Sequence, residues 1–127
     1  MDGPRLSLER LRRAVLLALL AALWACSGTP LPVPPSGPHK REALLTIVPY
    51  PPPAARVEIV PPPPREFADP VWIDGEWQWK GRRWVWQRGQ WDIAHPGMYY
   101  APSATVHLSD GTIAWYSGKW YTDDRKP

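Results

Sequence analysis

Period-two alternation dominates the C-terminal half of the chain. Trp77, Trp79, Trp84 and Trp86 alternate with polar neighbours on either side of Lys80-Gly81-Arg82-Arg83. That is strand spacing, and it predicts a hairpin with four indoles on one face. Glu76, Gln78, Lys80, Arg83, Val85 and Gln87 would form the opposite, solvent-facing side. A two-residue turn with glycine at its first central position sets Trp79 across from Trp84 and Trp77 across from Trp86. After a His95-Pro96-Gly97 loop and a short strand over residues 98–101, a second hairpin is expected to turn at Ser109-Asp110-Gly111-Thr112. With Asp110-Gly111 central, Leu108 faces Ile113 and Val106 faces Trp115, giving a second apolar face.

A repeat overlies this alternation. W-x-x-G-x-W occurs at Trp72–Trp77 and, fourteen residues on, at Trp86–Trp91, with a third copy at Trp115–Trp120. The two tryptophans of each copy are five apart, an odd spacing that puts them on opposite faces of a regular strand. A one-residue bulge at Asp74-Gly75 and again at Arg88-Gly89 would restore a common face. The competing geometry is a tight turn at Asp74-Gly75 with Trp72 across from Trp77. Either way Gly75, Gly89 and Gly118 are structural, and positive φ is the expected reason for glycine.

The N-terminal half has neither alternation nor repeat. Arg5, Arg10, Arg12 and Arg13 precede twelve uninterrupted apolar residues, 14–25. A spanning helix needs about 20, so residues 1–25 read as a helical signal peptide. Leu23-Trp24-Ala25-Cys26 resembles the lipobox of bacterial lipoproteins, which implies acylation of Cys26 and membrane attachment through it. Ser27 after the cysteine looks like an outer-membrane address. Residues 26–67 then read as a disordered, proline-rich linker, stiffened by polyproline II and able to reach roughly 130 Å. Within it, residues 43–48 (ALLTIV) and 55–60 (ARVEIV) interrupt the prolines, and Val57 and Ile59 could pack as an edge strand. Alternatively, Pro61–Pro64 could fold back onto the tryptophan face, as proline-rich ligands dock in aromatic grooves.

Composition sharpens the boundary. Fourteen of 18 prolines lie between Pro30 and Pro70, and eight of nine tryptophans between Trp72 and Trp120. A β module is therefore expected over residues 68–122, with 123–127 as a polar tail. So short a module buries a modest fraction of its surface, which large aromatics partly offset. Of the net charge of +3, the first 25 residues hold +2, four Arg against Asp2 and Glu9. The remainder is nearly neutral, so a nucleic-acid partner is not expected. The single cysteine excludes an intramolecular disulfide. His39, His95 and His107 show no metal-ligand spacing, and Asp92 with His95 lacks an accompanying nucleophile. No catalytic residue, metal or cofactor is expected.

The repeats resemble those of the W-x-x-G-x-W (YXWGXW) repeat proteins, small bacterial exported or lipid-anchored proteins, often with a proline-rich stretch before the repeats. The resemblance covers Trp72–Trp91 and Trp115–Trp120. It implies location and architecture, with no activity to carry over. The expected protein is all-β: a small antiparallel sheet of two tryptophan-rich, bulged hairpins behind the leader and linker. Its expected role is structural or adhesive in the cell envelope, at the outer membrane facing the periplasm, with envelope glycan or another envelope protein as partner. A soluble periplasmic or secreted module without the anchor is the alternative. Trp77, Trp79, Trp84, Trp86 and Trp115 are expected to build the core. Trp72, Trp91 and Trp120, nearer strand ends, are the candidates for exposed binding contacts.

Overall fold

The computed structural model describes residues 5–22 and 28–124. One unit holds α1 (Arg5–Ala22); a second runs from Leu31 onward and holds the strands. The expected leader segment is thus helical where described, as its run of Leu and Ala dictates. Among the described residues no helix is long and apolar enough to cross a membrane. Cys26 and the lipobox-like Leu23-Trp24-Ala25 before it, the expected acylation site, lie outside the described residues, as do the last three residues of the tail.

The alternating block folds as predicted at its centre. Strands β3 (Glu76–Lys80) and β4 (Arg83–Gln87) pair antiparallel, with Trp77 opposite Trp86 and Trp79 opposite Trp84. Gly81 and Arg82 both hold positive φ, 58° and 63°. That is the type I′ turn, whose twist matches the strands, rather than a turn with one left-handed glycine. Outside this pair, β2 (Pro70–Ile73) and β5 (Gln90–Ile93) also pair, with Trp72 opposite Trp91.

Across both pairs the numbers of opposed residues keep one constant sum, so residues 70–93 form a single long hairpin. Its two strands leave the ladder at the same level, Asp74-Gly75 opposite Arg88-Gly89. A one-residue bulge would change the sum, and a tight turn would pair Trp72 with Trp77. Both expectations are therefore corrected: the register passes through a symmetric break.

Residues 98–122 repeat the plan. β6 (Met98–Ala101) pairs with β9 (Lys119–Thr122), and β7 (Ala104–His107) with β8 (Ile113–Tyr116), again with a constant sum. Pro102-Ser103 and Ser117-Gly118 form the break. The predicted register of this hairpin is off by one. Leu108 pairs with Thr112, and Gly111 sits at φ 85° after a turn closed by its N–H on the Leu108 carbonyl. The loop thus has three residues, so Thr105, not Val106, faces Trp115. A one-residue slip exchanges faces, and Val106 and Leu108 accordingly lie exposed.

The proline-rich arm is not a disordered linker. Strand β1 (Thr46–Val48) adds to the edge of β8, making a β1-β8-β7 sheet. This strand comes from ALLTIV rather than from ARVEIV, whose Val57 and Ile59 are fully exposed. The buried core consists of Val48 from the arm, Val71, Trp72 and Ile73 from the first hairpin, and Tyr99, Ala101, Ala114 and Trp115 from the second. The remaining arm follows the hairpins through backbone bonds: Trp72 N–H to the Pro32 carbonyl at 2.8 Å and Tyr100 N–H to the Pro35 carbonyl at 2.8 Å.

Candidate functional site: the clad tryptophan ladder

Antiparallel pairing brings the indoles into edge-to-face contact across each rung. Ring centroids lie 5.4 Å apart for Trp72–Trp91, 5.2 Å for Trp77–Trp86 and 5.1 Å for Trp79–Trp84. In the second hairpin the same geometry joins Tyr100 and Trp120 at 5.5 Å. Trp84 meets Trp115 at 5.7 Å, linking the hairpins. Edge-to-face packing is the arrangement that ring quadrupoles favour.

The repeat glycines are explained by these rings. A β-carbon at Gly75 would strike the Trp86 ring and the Gln87 carbonyl; at Gly89, the Trp72 ring and the Ile73 carbonyl; at Gly118, the Tyr100 hydroxyl. Each break is a seat for the aromatic that begins the partner strand's repeat. Positive φ is not the reason, because among the described glycines it occurs only at Gly81, Gly97 and Gly111.

Each break also exposes N–H groups outside the ladder, and a carboxylate meets them. Glu58 of the arm accepts from Gly89 N–H at 2.8 Å and from Trp86 Nε1–H at 3.0 Å. Those two donors, the indole first, hold its carboxyl below the usual range, helped by Arg88 and Arg56 and opposed by burial. Glu76 serves the second hairpin, accepting from Gly118 N–H, Ser103 N–H and the Ser117 hydroxyl. Tyr100, beside it, is pushed up to about 12 by burial and by the charges of Glu76 and Asp92.

Arm carbonyls take three more indole donors of the first hairpin. Trp84 donates to Tyr50, Trp77 to Ala54 and Trp91 to Pro61, at 3.3, 3.0 and 2.8 Å. Arg56 lies over the Trp77 ring at 4.8 Å. This is the way aromatic grooves hold extended proline-rich chains, here within one polypeptide. The arm thus folds back, but over residues 50–61 rather than 61–64. On the second hairpin, His39 donates from Nε2 to the Pro102 carbonyl at 2.8 Å and accepts at Nδ1 from the Tyr121 hydroxyl; its ring stacks on Tyr116. Lys40 pairs with Asp124 at 2.6 Å.

The division of tryptophans into core and contact is corrected accordingly. Trp72, expected at the surface, is buried at 4% exposure with Trp115, and its indole N–H bonds Asp74. Trp77, Trp79, Trp84 and Trp86 are half-buried beneath the arm rather than enclosed. Trp91 and Trp120 are also half-buried; Trp120 donates to Asp92 at 3.0 Å and packs on His95.

Four residues of consequence escape a reading by motif: Glu58, Glu76, Tyr100 and Arg82. Tyr100 had a signal. It begins Tyr100-Ala101-Pro102-Ser103-Ala104-Thr105, fourteen residues after Trp86 and fifteen before Trp115, the place of a fourth repeat copy whose aromatic, glycine and second tryptophan have all been substituted. The carboxylates had none, because their partners are remote in sequence. No protein-family model matches the chain, and no curated protein or solved structure matches it.

Proposed function

We propose that the chain is an exported bacterial envelope protein, acylated at Cys26, whose clad β module works as a structural or adhesive element rather than a catalyst. The observation that carries the structural part is the internal use of the indole N–H groups. A face of open tryptophans would suit broad glycan stacking; here the protein's own arm covers most of that face. The envelope address is supported by the leader, the lipobox-like Leu23-Trp24-Ala25-Cys26 and the resemblance to W-x-x-G-x-W repeat proteins.

Cladding changes what the anchor would do. Five residues lead from Cys26 to Leu31, a reach of at most roughly 18 Å. An acylated chain would hold its module against the headgroups instead of far out in the periplasm. Contacts with envelope glycan or with another envelope protein would then be made at the membrane surface. Intact-mass measurement of the protein from bacterial membranes, beside Cys26→Ser, tests the address. A species starting at Cys26 with acyl mass, lost in the variant, is expected. An unacylated soluble species would replace this reading with that of a diffusible periplasmic or secreted module.

A further inference from the structure

Six of the eight described tryptophans donate their indole N–H within the chain; Trp79 and Trp115 have no such partner among the described residues. Trp115 is buried against Trp84. Trp79 instead lines an open cleft of ≈ 670 Å³ between the two hairpin tips, with Ile47, Val48, Arg82, Thr112 and Ile113. Small-molecule sites have volumes of roughly 300–1,000 Å³. The arm, which satisfies the neighbouring indoles, leaves this one donor available beside a cavity.

Arg82 is the second, independent observation. It occupies the left-handed position of the type I′ turn at φ 63°, where glycine or asparagine is relaxed and other side chains crowd the backbone. An arginine is a poor choice for the turn, and strain of this kind gathers at functional positions. Its guanidinium has no ion-pair or hydrogen-bond partner among the described residues. Lys80 and Arg83, its neighbours on the tip, pair with each other on the face opposite Trp79 and do not line the cleft. Asp110, on the opposite tip, is engaged by the Thr112 N–H and hydroxyl at 2.9 and 2.7 Å. Of these charged groups only Arg82 lines the cleft, so the cleft holds one free cation and no carboxylate among its described lining residues.

We propose that this cleft binds an acidic pyranose, a sugar ring bearing a carboxylate. The part of the Trp79 ring left open by its edge-to-face neighbours Tyr50 and Trp84, together with the aliphatic floor, matches the apolar C–H face of such a ring. The planar guanidinium and the indole N–H supply donors for the carboxylate, the pairing for which arginine is suited. An opening to solvent with interspersed polar groups suits a hydroxylated ring better than an alkyl chain. The proposal deepens the adhesive reading by naming a ligand class, and it is measured separately from acylation, so either can fail alone.

The test follows the Trp79 indole N–H resonance of the full chain in detergent, identified by its loss in Trp79→Phe. Sodium glucuronate, glucose and sodium acetate are the probes. Glucuronate is expected to shift the resonance saturably, with glucose and acetate each weaker by at least ~10-fold, the worth of one charge-assisted contact. Arg82→Asn relaxes the turn, so it is expected to keep or raise the melting temperature while lowering glucuronate affinity to that of glucose. Acetate matching glucuronate would mean a bare anion site, and glucose matching it would mean no charge recognition. Either result, no response to glucuronate, or unchanged binding in folded Arg82→Asn overturns the proposal.

Discussion

The two hairpins share one backbone plan and complete it by different means. In the first, three rungs are pairs of tryptophans, and the arm supplies the carbonyls and the Glu58 carboxylate that satisfy four of the six indoles. In the second, only Trp115 and Trp120 remain among tyrosines and small residues. There the carboxylate at the break is Glu76, delivered by the first hairpin, and β1 covers the exposed edge of β8. The break geometry thus does not require the full motif. It requires a small residue at the seat, an aromatic to occupy it and an acceptor for the freed N–H groups.

The comparison is broken most severely at the seats. Gly89→Ala sets a β-carbon against the Trp72 ring and two backbone atoms that cannot rotate away, so a loss of about 3 kcal/mol is expected in urea unfolding. Gly118→Ala, obstructed by the Tyr100 and Glu76 side chains, is expected to cost about half as much by the same measurement. Equal losses would mean that the two seats are not distinguished by what fills them. Glu76→Ala should cost about 2 kcal/mol, because half-buried N–H groups at the second break lose a charged acceptor. Amide hydrogen exchange at Ser103 and Gly118 should accelerate together, and a change at one alone would contradict the shared carboxylate.

Glu58 tests the arm, with a smaller effect. Its folded-state pKa lies below the usual 4.5. The stability it contributes is therefore fully present above that value and is lost as pH falls through the folded pKa. Acidification should loosen the arm from the first hairpin, shifting the Trp86 indole N–H resonance before those of the second hairpin. Glu58→Gln should remove that early transition. Persistence of the transition in the variant would assign it to another group. The smallest effect is expected for Val57→Ser with Ile59→Ser, within about 0.5 kcal/mol in thermal melts, since both side chains are exposed. A larger loss would revive the idea that they pack as a strand.

Legibility in the sequence followed the range of the interactions. The β3–β4 register could be read from Trp77, Trp79, Trp84 and Trp86 because a two-residue turn and a period of two are local facts. At Ser109–Thr112 the local signal was ambiguous between two- and three-residue loops, and the residue gained moved Val106 to the surface. The repeat glycines were recognised as structural for a reason that does not operate, since the Trp72 and Trp86 rings that fill their seats come from the opposite strand. Proline richness indicated an extended arm correctly, yet extension does not imply freedom. Carbonyls of a polyproline chain have no internal donors, and the tryptophan ladder is a row of donors. The Trp79–Arg82 cleft was hidden because its walls come from two turns and a strand of the arm.

The carbonyl-to-indole contacts between residues 50 and 61 also give the molecule a mechanical character. They continue, beyond the bonds at Pro32 and Pro35 and strand β1, a strip that leads away from the N-terminal end, so a pull applied near Leu31 would load the whole series one contact after another rather than all at once. The hairpins would feel that force first at Trp72 and Tyr100, and along their full length only after the strip had peeled. Such an attachment yields progressively and can reseal when the load falls, which makes the arm a built-in damper between whatever holds the chain at its beginning and the ladder near its end.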